Sequence, residues 1–197
     1  MPKAARRITA DDILPRETYG AERKARRAAV VDLKKRRRMA VGPYATFHFE
    51  CFETMWMQVQ EMLYIEKGGD AQLADELAAY NPMIPQGAEL TATIMFEIED
   101  AYRRARILQR LGGVEDALTI RVGGHTIQAV PEGDVERTKE DGKTSAVHFM
   151  HFPFSAEAIA AFQDPANEAI IAFAHPEYGH MAVIPPEIRA SLAQDFG

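Results

Sequence analysis

Residues 44–50, YATFHFE, alternate strictly between apolar and polar. Ala45, Phe47 and Phe49 fall on one side of an extended chain and Tyr44, Thr46, His48 and Glu50 on the other, which predicts a half-buried strand. The period then changes. In FETMWMQVQEMLYIEK, residues 52–67, a helical stripe runs through Met55, Trp56, Val59, Met62 and Leu63, with Gln58 at its border and Glu61 further round. DAQLADELAAY predicts a second helix, ended by the prolines and glycine of NPMIPQG. Alternation returns in AELTATIMFEIE, residues 88–99, where Leu90, Ala92, Ile94 and Phe96 oppose Thr91, Thr93, Met95 and Glu97. Asp100 to Leu111 predicts a basic amphipathic helix. ALTIRVGGHTIQAV predicts a hairpin turning at Gly123-Gly124, and VERTKEDGKTSAVHFMHF a second one around Asp141-Gly142. A short helix at 155–163, the apolar runs AIIAFAH and GHMAVI, and a helix from Pro186 complete the chain. Helices and hairpins alternate with few crossovers of βαβ length. The fold class is therefore α+β, a largely antiparallel sheet with flanking helices.

One element stands apart. Residues 17–41 read as a long basic N-terminal helix stopped by Gly42-Pro43, with Ala25, Ala28, Ala29, Leu33, Met39 and Ala40 on a narrow docking face. An alanine seam buries little area, so this helix is expected to dock closely but weakly. The expected division is a basic helical N-terminal segment, 1–43, and an α+β domain, 44–197. Charge follows the same line: residues 1–43 carry thirteen Lys/Arg against five Asp/Glu, and the rest carries ten against twenty-four. Such asymmetry implies an acidic partner or docking of the basic part on the acidic one. Lys34, Lys35, Arg36, Arg37 and Arg38 are the candidate contacts to phosphate or to an acidic partner.

The 197 residues suffice for one substantial domain. No apolar run is long enough to cross a bilayer, and no apolar stretch follows the basic start, so a cytoplasmic location is expected. A single cysteine, Cys51, excludes an intramolecular disulfide and cysteine-based zinc or iron–sulfur cages. Cys51 continues the parity of Phe47 and Phe49 and reads as a small buried hydrophobe. DGKTS resembles the end of a phosphate-binding loop, but Arg137 stands where that pattern needs glycine, and a strand follows in place of a helix.

TSAVHFMHF, residues 144–152, holds two histidines three apart. On a strand they face opposite sides and cannot share a metal ion. His148 keeps the parity of Ala146, Met150 and Phe152; His151 keeps that of Val147 and Phe149. His48 and Glu50 project together from one strand, Glu97 lies on the polar face of another, His148 on a third, and Glu61 on a helix able to cover the sheet. Were these strands adjacent, Glu61, Glu97, His148 and Glu50 could converge on a divalent transition metal, with nitrogen and oxygen ligands suited to iron, zinc or manganese. The alternative is that the carboxylates are solvated or ion-paired and His148 is a hydrogen-bonded core residue.

KKRRRMAVGP, QVQEML, YNPMIPQG, TSAVHF and HPEYG together resemble an uncharacterised bacterial family, domain of unknown function DUF3501, over nearly the whole chain. The matching polar positions are Lys35, Arg37, Gln58, Glu61, Tyr80, Asn81, His148, His175 and Tyr178. The family pattern has an apolar residue at His48 and arginine at His151, which counts against any site built on those two. The resemblance brings no established activity. It implies a setting in iron or peroxide-stress metabolism beside iron–sulfur and rubrerythrin-like proteins. Three readings follow: an accessory protein of iron or redox metabolism with a carboxylate–histidine metal site, a nucleic-acid-binding module using the basic helix, and an oligomeric scaffold or interaction protein.

Overall fold

The computed structural model describes residues 6–66, 68–133 and 142–197. Helix α1 spans Arg16–Lys35, strand β1 Arg38–Val41, β2 Ala45–Phe49, helix α2 Phe52–Glu66 and α3 Gly69–Tyr80. Strand β3 spans Glu89–Phe96, helix α4 Ala101–Arg110, and the hairpin strands β4 and β5 Leu118–Val122 and His125–Gln128. The short β6 is Val130–Pro131, β7 is Val147–Pro153, α5 is Ala156–Gln163, β8 is Ala169–His175, β9 is Tyr178–Val183 and α6 is Pro186–Leu192. The hairpin expected around Asp141-Gly142 lies outside the described residues.

The α+β class holds, with two sheets where one was expected. β1-β2-β3-β7-β6 form the first and β5-β4-β8-β9 the second, and each pairing is antiparallel. Inward side chains of both sheets, among them Phe47, Ile94, Phe152, Ile120, Ile171 and Phe173, make one shared core. Leu108 of α4, Phe162 of α5 and Leu192 of α6 pack into the same core. A second cluster, with Tyr19, Trp56, Val59 and Met83, joins α1 and α2 to the outer face of the first sheet, where Phe149 packs against it. That face is polar in sequence yet covered, so Thr46 and Glu50 are buried where the alternation predicts solvent.

The helix expected over 17–41 ends at Lys35. Arg36 leaves the helical region at φ −95°, ψ 8°, and residues 38–41 pair with β2, Met39 against Phe47 and Val41 against Ala45. Continuing the helix would carry Met39 round to its solvent side, whereas the strand buries Met39 and Val41. The expected boundary at 43/44 thus falls in the turn of a β-hairpin. Gly42 in that turn has φ +73°, and a Cβ there would lie 2.6 Å from the His180 ring.

The docking face of α1 also differs from expectation. Tyr19 is buried and Arg23, Arg26, Val30 and Leu33 are half-buried, while Ala25, Ala28 and Ala29 are exposed. Tyr19 packs edge-on against Trp56 and Tyr64, with ring centroids 6.1 and 5.5 Å away. A buried aromatic ring removes far more apolar area from water than an alanine seam and sets the rotation of the helix.

Candidate functional site

Strand register decides which polar groups meet. Ile94 lies opposite His148 and Thr93 opposite Phe149, so His148 points into the shared core and away from Glu50 and Thr93. Its ring sits edge-on to Phe96 at 5.8 Å, and its Nε2–H donates to the Ser145 carbonyl at 2.9 Å. Glu50 lies on the opposite, outer face, where its carboxylate accepts from the hydroxyls of Thr54 and Thr93 at 2.6 and 2.7 Å. Glu97, just past β3, accepts from the Thr46 hydroxyl and from Arg38. The Thr46 bond and the nearby Arg38 charge hold its carboxyl below the ordinary range.

Glu61 belongs to the helical layer. Arg23 grips it with two N–H groups at 2.9 and 2.7 Å, and the Tyr19 hydroxyl donates to the same carboxylate. The Arg23 bonds outweigh partial burial and lower the Glu61 pKa to about 2. Burial, then the Glu61 carboxylate, push the Tyr19 hydroxyl above its usual value. The expected metal centre of Glu61, Glu97, His148 and Glu50 is therefore not assembled. Among the described residues, no three His, Cys, Asp or Glu side chains form a group able to hold a metal ion. The parity within each strand holds; the relative phase of the strands separates the ligands.

The other candidates are joints of the fold. Gln58 donates weakly to the Tyr80 hydroxyl at 3.4 Å. Asn81 pairs with the backbone of Ile8 in both directions, at 2.7 and 3.0 Å. His175 Nε2–H donates to the Gly112 carbonyl at 3.1 Å. The Tyr178 hydroxyl accepts from the amides of Tyr44 and Ala45 at 3.0 and 2.9 Å and donates to the Val41 carbonyl at 2.8 Å.

The basic run is divided among different tasks. Arg37 is buried, bonded to the Phe49 and Glu50 carbonyls at 3.0 and 2.8 Å and paired with Asp195 at 2.5 Å. Burial, the largest single influence, works against its charge, and the Asp195 carboxylate, aided by Cys51 and Glu50, outweighs it and holds the guanidinium pKa above its ordinary value. Arg38 reaches Glu97, Lys35 pairs with Asp32, and Lys34 and Arg36 are exposed. Of five expected contacts, Arg37 is thus a buried structural group, because the end of α1 turns it into the body. Beside it opens a cavity of about 600 Å³ lined by Arg6, Arg37, Cys51, Phe52, Asp195 and Phe196, among others. Burial pushes the Cys51 thiol up to about 11, which keeps it protonated and unreactive at neutral pH.

The sequence predicts the basic helix at 100–111 but assigns its outer face no role. Asp100 caps α4 by accepting from the Arg103 amide at 2.6 Å, and Leu108 anchors the helix in the core. Outward stand Tyr102, 73% exposed, and Arg106, whose guanidinium lies 5.9 Å from the Tyr102 ring. Arg103 lies over Tyr44 at 5.5 Å and donates to its hydroxyl at 2.8 Å. Tyr44 in turn stacks on Tyr178 with centroids 6.2 Å apart. Two arginine–aromatic pairs are therefore built from α4, one within the helix and one reaching Tyr44 in the β1–β2 turn. The signal available in sequence was YRRAR within an otherwise acidic body.

The family model described as "Protein of unknown function (DUF3501)" matches residues 7–196. Among solved structures the chain is similar to a novel protein of unknown function from Burkholderia pseudomallei, with TM-score 0.89 and 36% sequence identity over 96% of this chain and 99% of that chain. No curated protein matches it.

Proposed function

The chain belongs to the DUF3501 family of proteins of unknown function, and from that premise we propose that it works by docking an acidic protein surface on the outer face of α4. The observation that carries this reading is the exposed pairing of Tyr102 with Arg106 beside Arg103 on Tyr44. Tyrosine and arginine dominate binding hot spots because they offer large rigid contact area and directed donors at low entropic cost. Tyr102, Arg103 and Arg106 stand on a helix already anchored from behind, and Tyr44 on the neighbouring β1–β2 turn, so little ordering is required on binding.

Charge selects the kind of partner. Glu99 and Asp100 precede the arginines in the chain, Glu177 pairs with the neighbouring Arg110, and the whole chain carries −6. A polymer with a phosphate at every residue would meet those carboxylates, whereas a protein with a local acidic patch would match the small basic one. An accessory role in iron or redox metabolism, implied by the family resemblance, takes the form of docking in this reading. Iron–sulfur and rubrerythrin-like proteins are then the first partners to try.

The test is calorimetric titration of purified rubrerythrin-like and iron–sulfur partners into the wild type and the Arg103→Glu/Arg106→Glu variant. Expected is binding that weakens with salt and falls at least about tenfold in the variant, the loss of two hot-spot arginines. Equal affinity in both proteins, no binding to any partner, or tighter binding of a labelled oligonucleotide would overturn the reading.

A further inference from the structure

We propose that His151 is a pH-operated latch, which in its doubly protonated form holds residues 130–132 on the edge of β7 and on losing a proton lets them go. The chain crosses between the two sheets here, since β5 belongs to the second and β6 to the first. The backbone hold on this strap is slight. β6 is two residues long, pairing Val130 with His151 and Pro131 with Met150, and the Glu132 amide donates to the Phe149 carbonyl at 2.9 Å. Proline supplies no donor, and Val130 is 49% exposed, so little apolar burial keeps the strap down.

The His151 side chain supplies the rest. Nδ1 lies 3.0 Å from Glu89 on β3 and Nε2 lies 2.7 Å from Glu132, so the ring bridges a central strand to the strap. Among the described residues these two carboxylates are the charged groups acting on the ring. Thr91, opposite it on β3, spends its hydroxyl on the Met83 carbonyl. The His151, Glu89 and Glu132 side chains are 19%, 18% and 26% exposed, enough for water to carry the proton and too little for full screening of the bonds.

With one proton the ring has a single donor for two carboxylates, and its other nitrogen turns a lone pair toward an anion. Glu132 is the side that yields. Glu89 is fixed within β3, and its second oxygen accepts from the Gln86 amide at 3.3 Å, whereas Glu132 stands past the end of a two-residue strand. The latch is closed below the ordinary histidine value of about 6.5. It opens as pH rises through the folded value, which the Glu89 bond, against burial and with help from Glu132, holds higher. Opening bares backbone groups of Phe149 and His151 and makes β7 the free edge of the first sheet.

Amide hydrogen exchange of the full chain by NMR, from about pH 6 to about pH 9 and corrected for the intrinsic base-catalysed rate, tests this. Protection of the Glu132 amide should fall about tenfold, the worth of one charge-assisted hydrogen bond, with the midpoint at which the His151 ring itself titrates. That amide should exchange faster than those of Phe47 in β2 and Ile171 in β8, and its rate should ignore low urea, the marks of a local opening. His151→Arg, charged over the whole range, should keep Glu132 protected at every pH. Glu132→Gln, whose amide can donate to or accept from the ring, should flatten the response. Protection that ignores the His151 midpoint, a wild-type response in His151→Arg, or exchange of Glu132 in step with Phe47 and Ile171 at every urea concentration would overturn the proposal.

Discussion

His151 Nε2 lies 2.7 Å from a Glu132 carboxylate oxygen, and its other ring nitrogen lies 3.0 Å from Glu89. Both nitrogens face acceptors, an arrangement only the doubly protonated ring satisfies. The Glu89 bond, opposed by burial and helped by Glu132, raises the His151 pKa. Stability from a raised histidine is fully present below the unfolded value of about 6.5 and is lost as pH rises through the folded one. His151→Gln should cost about 1–2 kcal/mol near pH 6, with the gap to wild type closing as pH rises. Urea midpoints from about pH 6 to about pH 9 measure it.

Glu61 gives the opposite pH dependence. Its depressed pKa of about 2 means that its contribution is present above the unfolded carboxyl value and lost as pH falls toward the folded one. Glu61→Gln leaves Arg23 and the Tyr19 hydroxyl short of their acceptor. The expected cost is about 1–3 kcal/mol at neutral pH, shrinking in acid. Chemical denaturation at about pH 7 and about pH 3 should show the gap between the two proteins narrowed at the lower value, since it closes fully only once pH falls through the folded pKa.

His48 works against the fold. Its Nε2 is buried with no hydrogen-bond partner among the described residues, and burial, reinforced by Arg38, lowers its pKa. A depressed histidine favours the native state above the unfolded pKa and weakens it as pH falls below. His48→Leu should stabilise the protein by about 0.5–1.5 kcal/mol, with the margin widening in acid. Paired thermal melts at neutral and acidic pH read this directly.

Arg37 and Asp195 form a buried pair whose halves depend on each other. Removing one strands the other charge, so Arg37→Met should cost about 3–5 kcal/mol. Arg37→Lys should fail to rescue, because the single ammonium cannot serve the Phe49 and Glu50 carbonyls together with Asp195. The double variant R37M/D195L should recover a large share. A double-mutant cycle in guanidinium chloride measures the coupling.

Much of the fold was legible because burial follows local period: the inward set Ala45, Phe47, Phe49 and the Gly123-Gly124 turn lie where the pattern puts them. The end of α1 was not legible, since arginines suit a helix end and an edge strand alike, and only the pairing of Met39 with Phe47 decides between them. The split into two sheets was hidden for the same reason. Parity says which residues of a strand share a side, but not which side faces the core or a covering helix. That missing phase is why His148 was grouped with Glu50 and Glu97, while His151, set aside on the family pattern, proved to hold two carboxylates.

The Tyr178 hydroxyl serves three backbone groups at the corner where the β1–β2 turn meets β9. One ring from the second sheet thus fastens the edge of the first, and neither layer can peel away without breaking that joint. The amides of Tyr44 and Ala45 should therefore exchange deuterium in step with those of β9, so that the two sheets open as a single unit.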